Sequence, residues 1–323
     1  MRIVMLGTGP FAVPTFRWLL EHHEVPALVT RPTPPAKGRE KAPLNPMRDV
    51  ALERGLPILE PATINAPEAI EAVKALEPEL LMVCDYGQIL SRDALAIAPL
   101  GGINLHASLL PKYRGAAPIH WAILNGDQQT GVSVIHMTPR LDGGPILAVR
   151  TVDIGSEETM PELEHRLAEL GVDAVRESIE KLAEWDRVSP IGARQDASQV
   201  SKAPRLNKAD GAVDWTQPAR SIANRVRALK PWPGTYTQWQ RPSGEPLRLI
   251  LDRVSVVEDA EASAAGATPG QIVVADGERL LVATGAGLLS LDIVQPAGKR
   301  AMLVSEFLRG YPLKAGQHLG GNS

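Results

Sequence analysis

The sequence predicts an α/β protein in which a doubly wound, mostly parallel sheet is followed by a smaller C-terminal β domain. In the first half, short apolar runs alternate with helical patterns, which is typical of parallel strands joined by crossover helices. Past residue 206, alternating strands recur at a spacing of about 10 residues, as in a small barrel or sandwich. The length of 323 residues also suits two domains.

The elements of the first half follow from apolar periodicity. Continuous apolar runs predict strands at 2–7, 25–30, 80–84, 102–106, 132–137 and 146–152. Helical spacing predicts helices at 11–21, near Met47, at 67–76 and at 159–185. Periodicity then fades, so residues 186–206 are interpreted mainly as a surface linker. The predicted domains are a catalytic domain over 1–188, a linker over 189–206 and a C-terminal domain over 207–323.

The C-terminal part has its own pattern. A short helix is predicted at 218–229, and strands are predicted at 247–257, 271–275, 280–283 and 288–294. The Ala-rich, acidic run 258–269 is interpreted as a hairpin loop. No internal repeat interrupts this organisation.

Composition excludes several classes of protein. The net charge of -3 does not indicate a nucleic-acid binder, and the single cysteine rules out a disulfide framework or a cysteine-cluster metal site. Cys84 lies in an apolar run, where a buried, inert thiol is expected. Without a leader or a membrane-length apolar run, we expect a cytoplasmic protein, and a monomer.

Two glycines near the start of the sequence suggest a dinucleotide-binding site, but other residues weaken this interpretation. Gly7 and Gly9 follow the first strand, but Val13 lies where a third glycine would allow close helix packing. Thr30 and Arg31 end the second strand, where an acidic residue would bind a ribose. A tight turn is therefore favoured over the nicotinamide site of a dehydrogenase.

The stretch from Gly101 to Pro118 is the richest in candidate chemistry. Asn104 and His106 point to the same face if a strand ends there, because side chains alternate along a strand. The carboxyl ends of parallel strands are where open α/β sheets bind ligands. An amide can donate to a developing oxyanion and an imidazole can assist proton movement, although a lone histidine in a strand is more often structural.

A carboxylate follows in a second glycine-rich loop. Asp142 precedes Gly143-Gly144 after a predicted strand. By itself it could be a turn former. Coupled to His106, it could orient the imidazole and raise its pKa.

The residues resemble a known family at this point. Two stretches, NLHASLLPKYRGAAP and MTPRLDGGPIL, are similar to the catalytic core of the folate-dependent formyltransferases. Three further stretches resemble the branch that acts on methionyl-tRNA: LGTGPFAVP, DYGQIL and VRALKPWPGTY. The resemblance covers nearly the whole chain and implies a Rossmann-like core with a C-terminal OB-like barrel. It also implies formyl transfer from 10-formyltetrahydrofolate to the α-amine of methionyl initiator tRNA, without a metal.

The resemblance implies residue roles as well. It assigns catalysis to Asn104, His106 and Asp142. It assigns contact with the folate to two segments. One comprises Ser108, Leu109, Leu110 and Pro111, and the other comprises Tyr86, Gly87, Ile89 and Leu90. It assigns contact with the tRNA acceptor stem to a basic loop after the second strand, which contains Lys37, Arg39 and Lys41.

Two features temper these assignments. Arg225 and Arg227, on the helix before PWPG, are candidate phosphate contacts, but a solvated helix face explains them equally. The sequence also departs from the family pattern at Asp85, where a small residue is expected, and at Gly9-Pro10, where Thr-Pro before an acidic or polar residue is commoner.

Other functions fit the sequence less well. An amino-sugar nucleotide as acceptor is the main alternative, because such formyltransferases can also carry a C-terminal domain. The small amine of purine synthesis, or release of formate by a hydrolase, would leave the C-terminal domain and PWPG unexplained. A non-catalytic RNA- or nucleotide-binding protein would not need Asn104, His106 and Asp142 together.

Overall fold

The computed structural model describes residues 1–33, 45–241, 244–257 and 266–320. The chain forms two compact units. The first comprises residues 1–119, 129–154 and 162–205, and the second comprises residues 120–128, 155–161 and 206–323. No helix within the described ranges combines the length and apolar character that a membrane span requires.

The N-terminal unit is built around one large sheet. Its strands are β1 (Ile3–Gly7), β2 (Leu28–Val29), β3 (Ile58–Leu59), β4 (Leu80–Cys84), β5 (Gly102–His106), β6 (Arg114–Gly115), β7 (Gln129–His136), β8 (Ile146–Asp153) and β9 (Lys202–Ala203). The helices of this part of the chain are α1 (Val13–His22), α2 (Pro46–Glu53), α3 (Pro67–Lys74), α4 (Arg92–Leu95), α5 (Pro118–Leu124) and α6 (Met160–Ala183).

Strand order explains where a ligand can bind. The seven-stranded sheet has the order β3-β2-β1-β4-β5-β7-β8, with β1 to β5 parallel and β7 and β8 antiparallel. The chain winds outward from β1 to β3 and then returns to place β4 on the other side of β1. This reversal makes the carboxyl ends of β1 and β4 the topological switch point, where doubly wound sheets open a crevice.

The central strands are apolar because both faces of the sheet are covered. All residues of β1 and β4 are buried, as expected for parallel strands with helices on either side. On one face, Val4, Leu6 and Val83 pack with Val73 of α3 and Leu95 of α4. Because these strands are buried in the core, the positions at which β1, β4 and β5 end are held in place.

The C-terminal unit contains an antiparallel sheet. Its elements are α7 (Ala219–Ala228), β10 (Thr235–Trp239), β11 (Leu247–Val257), β12 (Ile272–Asp276), β13 (Arg279–Ala283), β14 (Leu288–Pro296), β15 (Met302–Leu303) and α8 (Val304–Gly310). The order is β10-β11-β14-β13-β12, and β15 pairs with β14. His318 bridges to Gln271 beside β12 and Leu319 bridges to Trp239 of β10, so the chain end links the two edge strands into a barrel.

The predicted fold class is therefore confirmed, with local differences. The strand expected over 25–30 is hydrogen-bonded only at Leu28–Val29, where it lies between β1 and β3. The segment expected to be mainly a surface linker contains β9, which pairs with β6, and it packs in the N-terminal unit as far as Arg205. The expected hairpin loop 258–269 lies outside the described residues as far as 265.

Candidate active site

The two polar residues at the end of β5 have different environments. Val83 of β4 is the register partner of Asn104, and Ser133 of β7 is that of His106. His106 is buried, whereas Asn104 is partly exposed. Among the described residues the Asn104 side chain has no hydrogen-bond partner in the protein. Asn104 therefore presents a free amide, and His106 is held in place.

The protein fixes the tautomer of His106. Its Nε2 lies 2.9 Å from the carbonyl oxygen of Tyr113. A carbonyl can only accept, so Nε2 carries the hydrogen and donates it. Nδ1 then faces Oδ1 of Asp142 at 3.8 Å, with both side chains about nine-tenths buried. In the neutral ring, Nδ1 is an acceptor that faces a carboxylate oxygen.

Asp142 is held by its loop from several directions. Its backbone is in the left-handed region, with a φ of 49°, which aspartate tolerates better than most residues. The Gly115 N–H donates to Asp142 Oδ2 at 2.9 Å. At Gly144, a Cβ would overlap the carbonyl oxygen of His136, so only glycine lets this loop approach the end of β7.

Gln195 completes the support of this loop and was not predicted. Its Nε2 donates to the carbonyl oxygens of Asp142 and Gly144, at 2.8 and 2.7 Å. Its Oε1 accepts from Arg114, at 2.6 Å from Nη2 and 3.1 Å from Nε. Ser201 Oγ also accepts from the Tyr113 N–H at 2.9 Å. No sequence signal marks Gln195 or Ser201, because both lie in the polar segment after α6.

The predicted folate segment after β5 divides into buried and accessible residues. Ser108 is fully buried, and its hydroxyl donates to the Lys112 carbonyl at 2.7 Å. Leu110 is also buried. Leu109 and Pro111 are partly exposed. Ser108 and Leu110 thus shape the loop, and the other two are available to a ligand.

The second predicted folate segment divides in the same way. Tyr86 and Leu90 are buried in the core, whereas Gly87 is exposed and 55% of Ile89 is accessible. The Tyr86 hydroxyl is buried and, within the ranges the structure covers, has no hydrogen-bond partner. Burial raises the pKa of Tyr86 to about 12, although Arg31 opposes this shift.

Two carboxyl groups near the switch point have perturbed pKa values. Asp85 is accessible to solvent, yet the protein mass around it desolvates the carboxylate and raises its pKa to about 6. Glu164 of α6 is half-buried, and desolvation together with the charge of Asp85 raises its pKa to about 7. Burial also raises the pKa of the Cys84 thiol, which is the inert cysteine that the sequence predicts.

The predicted tRNA contacts are either hydrogen-bonded within the protein or lie outside the described residues. Lys37, Arg39 and Lys41 lie outside the described residues. Arg225 donates to the backbone carbonyl of Asp210, and Arg227 donates to Asn224 Oδ1 and to the carbonyls of Gly155 and Glu158. In the described part of the chain, no group of three His, Cys, Asp or Glu side chains is placed to hold a metal ion.

Comparison with protein-family models identifies the family to which the chain belongs. The family model described as formyl transferase matches residues 1–179. The model described as formyl transferase, C-terminal domain, matches residues 205–312.

This chain belongs to the formyl transferase family.

Close relatives of this formyl transferase match it end to end. A methionyl-tRNA formyltransferase from Rhodopirellula baltica is 47% identical over 99% of this chain and 96% of its own length. One from Methylococcus capsulatus is 43% identical over 99% of this chain and 100% of its own length. The resemblance predicted from the sequence is thus confirmed at the level of the family.

More distant solved structures share the fold of this formyl transferase. The N-formyltransferase from Helicobacter canadensis, solved with folinic acid and dTDP-3-aminofucose, has a TM-score of 0.64 at 15% identity and covers 90% of this chain and 98% of its own. HypX from Aquifex aeolicus, solved with tetrahydrofolic acid, has a TM-score of 0.62 at 17% identity. This chain is covered completely by HypX but spans only 51% of the HypX chain.

Proposed function

We propose that this formyl transferase moves the formyl group of 10-formyltetrahydrofolate to the α-amine of methionyl initiator tRNA in the cytoplasm, during translation initiation. The near full-length identity to methionyl-tRNA formyltransferases supports the acceptor. The observation that carries the chemistry is the arrangement at the end of β5. A free amide on Asn104 stands beside a histidine whose Nδ1 faces a buried carboxylate.

Asn104 is suited to stabilise the transition state. Attack of a neutral amine on a formyl carbon places negative charge on the formyl oxygen. An N–H donor that is not used within the protein can bind that oxygen without first breaking another bond. Asn104 fits this requirement because its side chain is accessible and unpaired among the described residues.

His106 and Asp142 are suited to hold and move a proton. The Tyr113 carbonyl keeps the hydrogen on Nε2, so Nδ1 is the atom that can gain or lose a proton. A proton on Nδ1 is stabilised by Asp142, whose own position is fixed by Gly115. The protonated ring can assist stabilisation of the oxyanion, and the pair can pass the proton towards the leaving nitrogen through water.

The accessible residues of the two predicted folate segments are suited to hold the donor. Gly87, Ile89, Leu109 and Pro111 are accessible at or near the ends of β4 and β5, and they can contact a flat heterocycle. The Tyr86 hydroxyl is a buried polar atom without a partner in the described residues, which suits a site completed by a ligand. The folate supplies an activated formyl group on N10.

Recognition of the tRNA would depend on phosphate contact and shape. The basic residues Lys37, Arg39 and Lys41 follow the second strand and are proposed to contact the acceptor stem. Arg225 and Arg227 are weaker candidates, because backbone carbonyls already occupy both guanidinium groups. The C-terminal barrel would supply further surface for the RNA.

A transfer assay with two acceptors tests the proposal. Labelled 10-formyltetrahydrofolate is incubated with the enzyme and either methionyl initiator tRNA or an amino-sugar nucleotide. We expect label on the tRNA only, and Asp142→Ala should fold normally but lose turnover. Label on the sugar alone would keep the catalytic residues and overturn the acceptor. Label on neither acceptor would overturn the proposal.

A further inference from the structure

Asp85 lies at the topological switch point of the sheet, where doubly wound sheets bind ligands. It directly follows β4, and Gly9 follows β1, so the two residues flank the switch point between these strands. The register pairs Val83 with Asn104, which places Asp85 beside the end of β5, level with His106. Adjacent strands lie about 4.8 Å apart, so Asp85 is within reach of a molecule bound at Asn104 and His106.

The absence of a side chain at Gly9 leaves space for the Asp85 carboxylate. A Cβ at Gly9 would overlap Oδ2 of Asp85, so any other residue at position 9 would displace the carboxyl group. Asp85 itself has a φ of 49°, in the left-handed region, and its side chain remains accessible to solvent. Gly9 therefore leaves space for an accessible Asp85 carboxylate beside the switch point. Both residues are departures from the family pattern that the sequence resembles.

The Asp85 carboxylate has an acidic neighbour. The surrounding protein raises the pKa of Asp85 to about 6, and Glu164 of α6 interacts electrostatically with it. The buried Cys84 thiol also interacts with both carboxyl groups. No ion pair between Asp85 and a cation is present among the described residues. An accessible carboxylate that no cation of the described residues neutralises favours a cationic ligand.

The acceptor of the proposed reaction carries such a cation. The α-amine of an aminoacyl ester is an ammonium ion until it loses a proton, and it must be neutral to attack the formyl carbon. We propose that Asp85, paired with Glu164, binds the α-ammonium group of the acceptor at the switch point and takes its proton. This inference rests on the proposed function, because it assigns the acceptor side of the same site.

The proton balance of this step is simple. The ammonium N–H bond breaks, its electron pair stays on nitrogen, and the proton is transferred to the Asp85 carboxylate. The neutral amine then attacks the formyl carbon beside Asn104. The proton held by Asp85 and Glu164 leaves to solvent, which matches the one proton that the overall reaction releases from an ammonium substrate.

Steady-state kinetics of matched variants test the assignment. Asp85→Asn keeps the shape and tolerates the left-handed backbone, but it removes the negative charge. Because a charge-assisted hydrogen bond is lost, we expect its KM for methionyl-tRNA to rise about tenfold, whereas its KM for the folate stays within about twofold. Glu169→Gln, an exposed carboxyl on the same helix as Glu164, is the control and should match the wild type.

The pH profile separates a direct role from a structural one. In the wild type, kcat/KM for methionyl-tRNA should rise through about pH 6 as Asp85 ionises. Asp85→Asn should lose this limb, whereas Glu164→Gln should leave it near pH 6, because Glu164, with a pKa of about 7, is mostly protonated where Asp85 titrates. Thermal unfolding of each variant verifies that the fold is kept.

The outcomes distinguish this inference from the proposed function. An active wild type whose Asp85→Asn variant keeps the wild-type KM for methionyl-tRNA would overturn the inference alone. A rise in the folate KM instead would also overturn it, because the carboxylate would then serve the donor. A wild type that formylates no methionyl-tRNA would overturn both.

Discussion

At the scale of single residues, Glu164 shows how an ionisable group can reduce stability. Its pKa is raised to about 7, mainly by desolvation, from the ordinary value of 4.5. The unfolded chain therefore ionises first as pH rises, and the folded state loses stability between about pH 4.5 and 7. Below that window the group is protonated in both states and causes no loss.

Replacing this carboxyl group should remove the pH-dependent loss. Glu164→Gln should be more stable than the wild type at pH 8, by about 1 kcal/mol once solvent screening is allowed for, and the gain should shrink towards pH 4. Denaturant unfolding at both pH values measures this difference. A gain that is the same at both pH values would mean that ionisation of Glu164 is not its cause.

At the active site, too, the surroundings of a side chain determine what it can do. Asn104 and His106 are two residues apart on one strand, yet only the Asn104 side chain is left without a hydrogen-bond partner in the described residues. The sequence predicted that both would share a face, and the structure adds that the Tyr113 carbonyl fixes the histidine. That carbonyl could not be predicted, because it depends on the path of the loop after β5.

At the scale of elements, Gln195 connects two loops that are distant in sequence. Gln195→Leu keeps the volume but leaves the Asp142 and Gly144 carbonyls and the Arg114 guanidinium without this partner. We expect kcat to fall about tenfold or more as Asp142 loses its position, and stability to fall by about 1–3 kcal/mol. Transfer kinetics and thermal unfolding measure the two effects.

Gln199→Leu is the matched control for this prediction. Gln199 lies in the same segment, is exposed and donates only to Asp196 within the described residues. It should leave both kcat and stability near the wild-type values. Equal behaviour of the two variants would show that the Gln195 amide does not position the Asp142 loop.

The elements also show why sequence patterns succeed in some places and not in others. The fully buried strand β4 was predicted at its observed bounds, because a buried parallel strand is a continuous apolar run. β5 was also predicted at its observed bounds, although its Asn104 is partly exposed. β6 and β9 were missed, since each has two residues and forms only through pairing with the other. The segment that carries Gln195 was interpreted as part of a linker because its contacts are made by polar side chains.

At the scale of the whole molecule, two of the three arginines on helix α7 of the C-terminal unit have different surroundings. Arg227 donates to Asn224 and to two backbone carbonyls, whereas Arg220 is exposed. We expect Arg227→Ala to lower the free energy of unfolding by about 1–3 kcal/mol, because the buried Asn224 side chain and the partly buried Glu158 carbonyl lose a charged donor. Arg220→Ala should change it by less than about 0.5 kcal/mol. Denaturant unfolding measures both values.

The same variants test the predicted contact between Arg227 and tRNA. Binding of methionyl-tRNA is measured across salt concentrations, since each lost phosphate contact reduces the salt dependence. Wild-type stability of Arg227→Ala, together with a reduced salt slope, would contradict the structural function of Arg227 and support the phosphate contact predicted from the sequence.

The central claim is that Asn104, left free at the end of β5, stabilises the oxyanion of formyl transfer to methionyl-tRNA. Single-turnover transfer by the wild type and by Asn104→Ala, with both substrates saturating, tests it most directly. Because Asn104 makes no side-chain hydrogen bond in the described part of the protein, the variant should keep wild-type stability and tRNA affinity. Its transfer rate should fall by about 100-fold or more, or about 3 kcal/mol in transition-state stabilisation. A transfer rate close to that of the wild type would contradict the account.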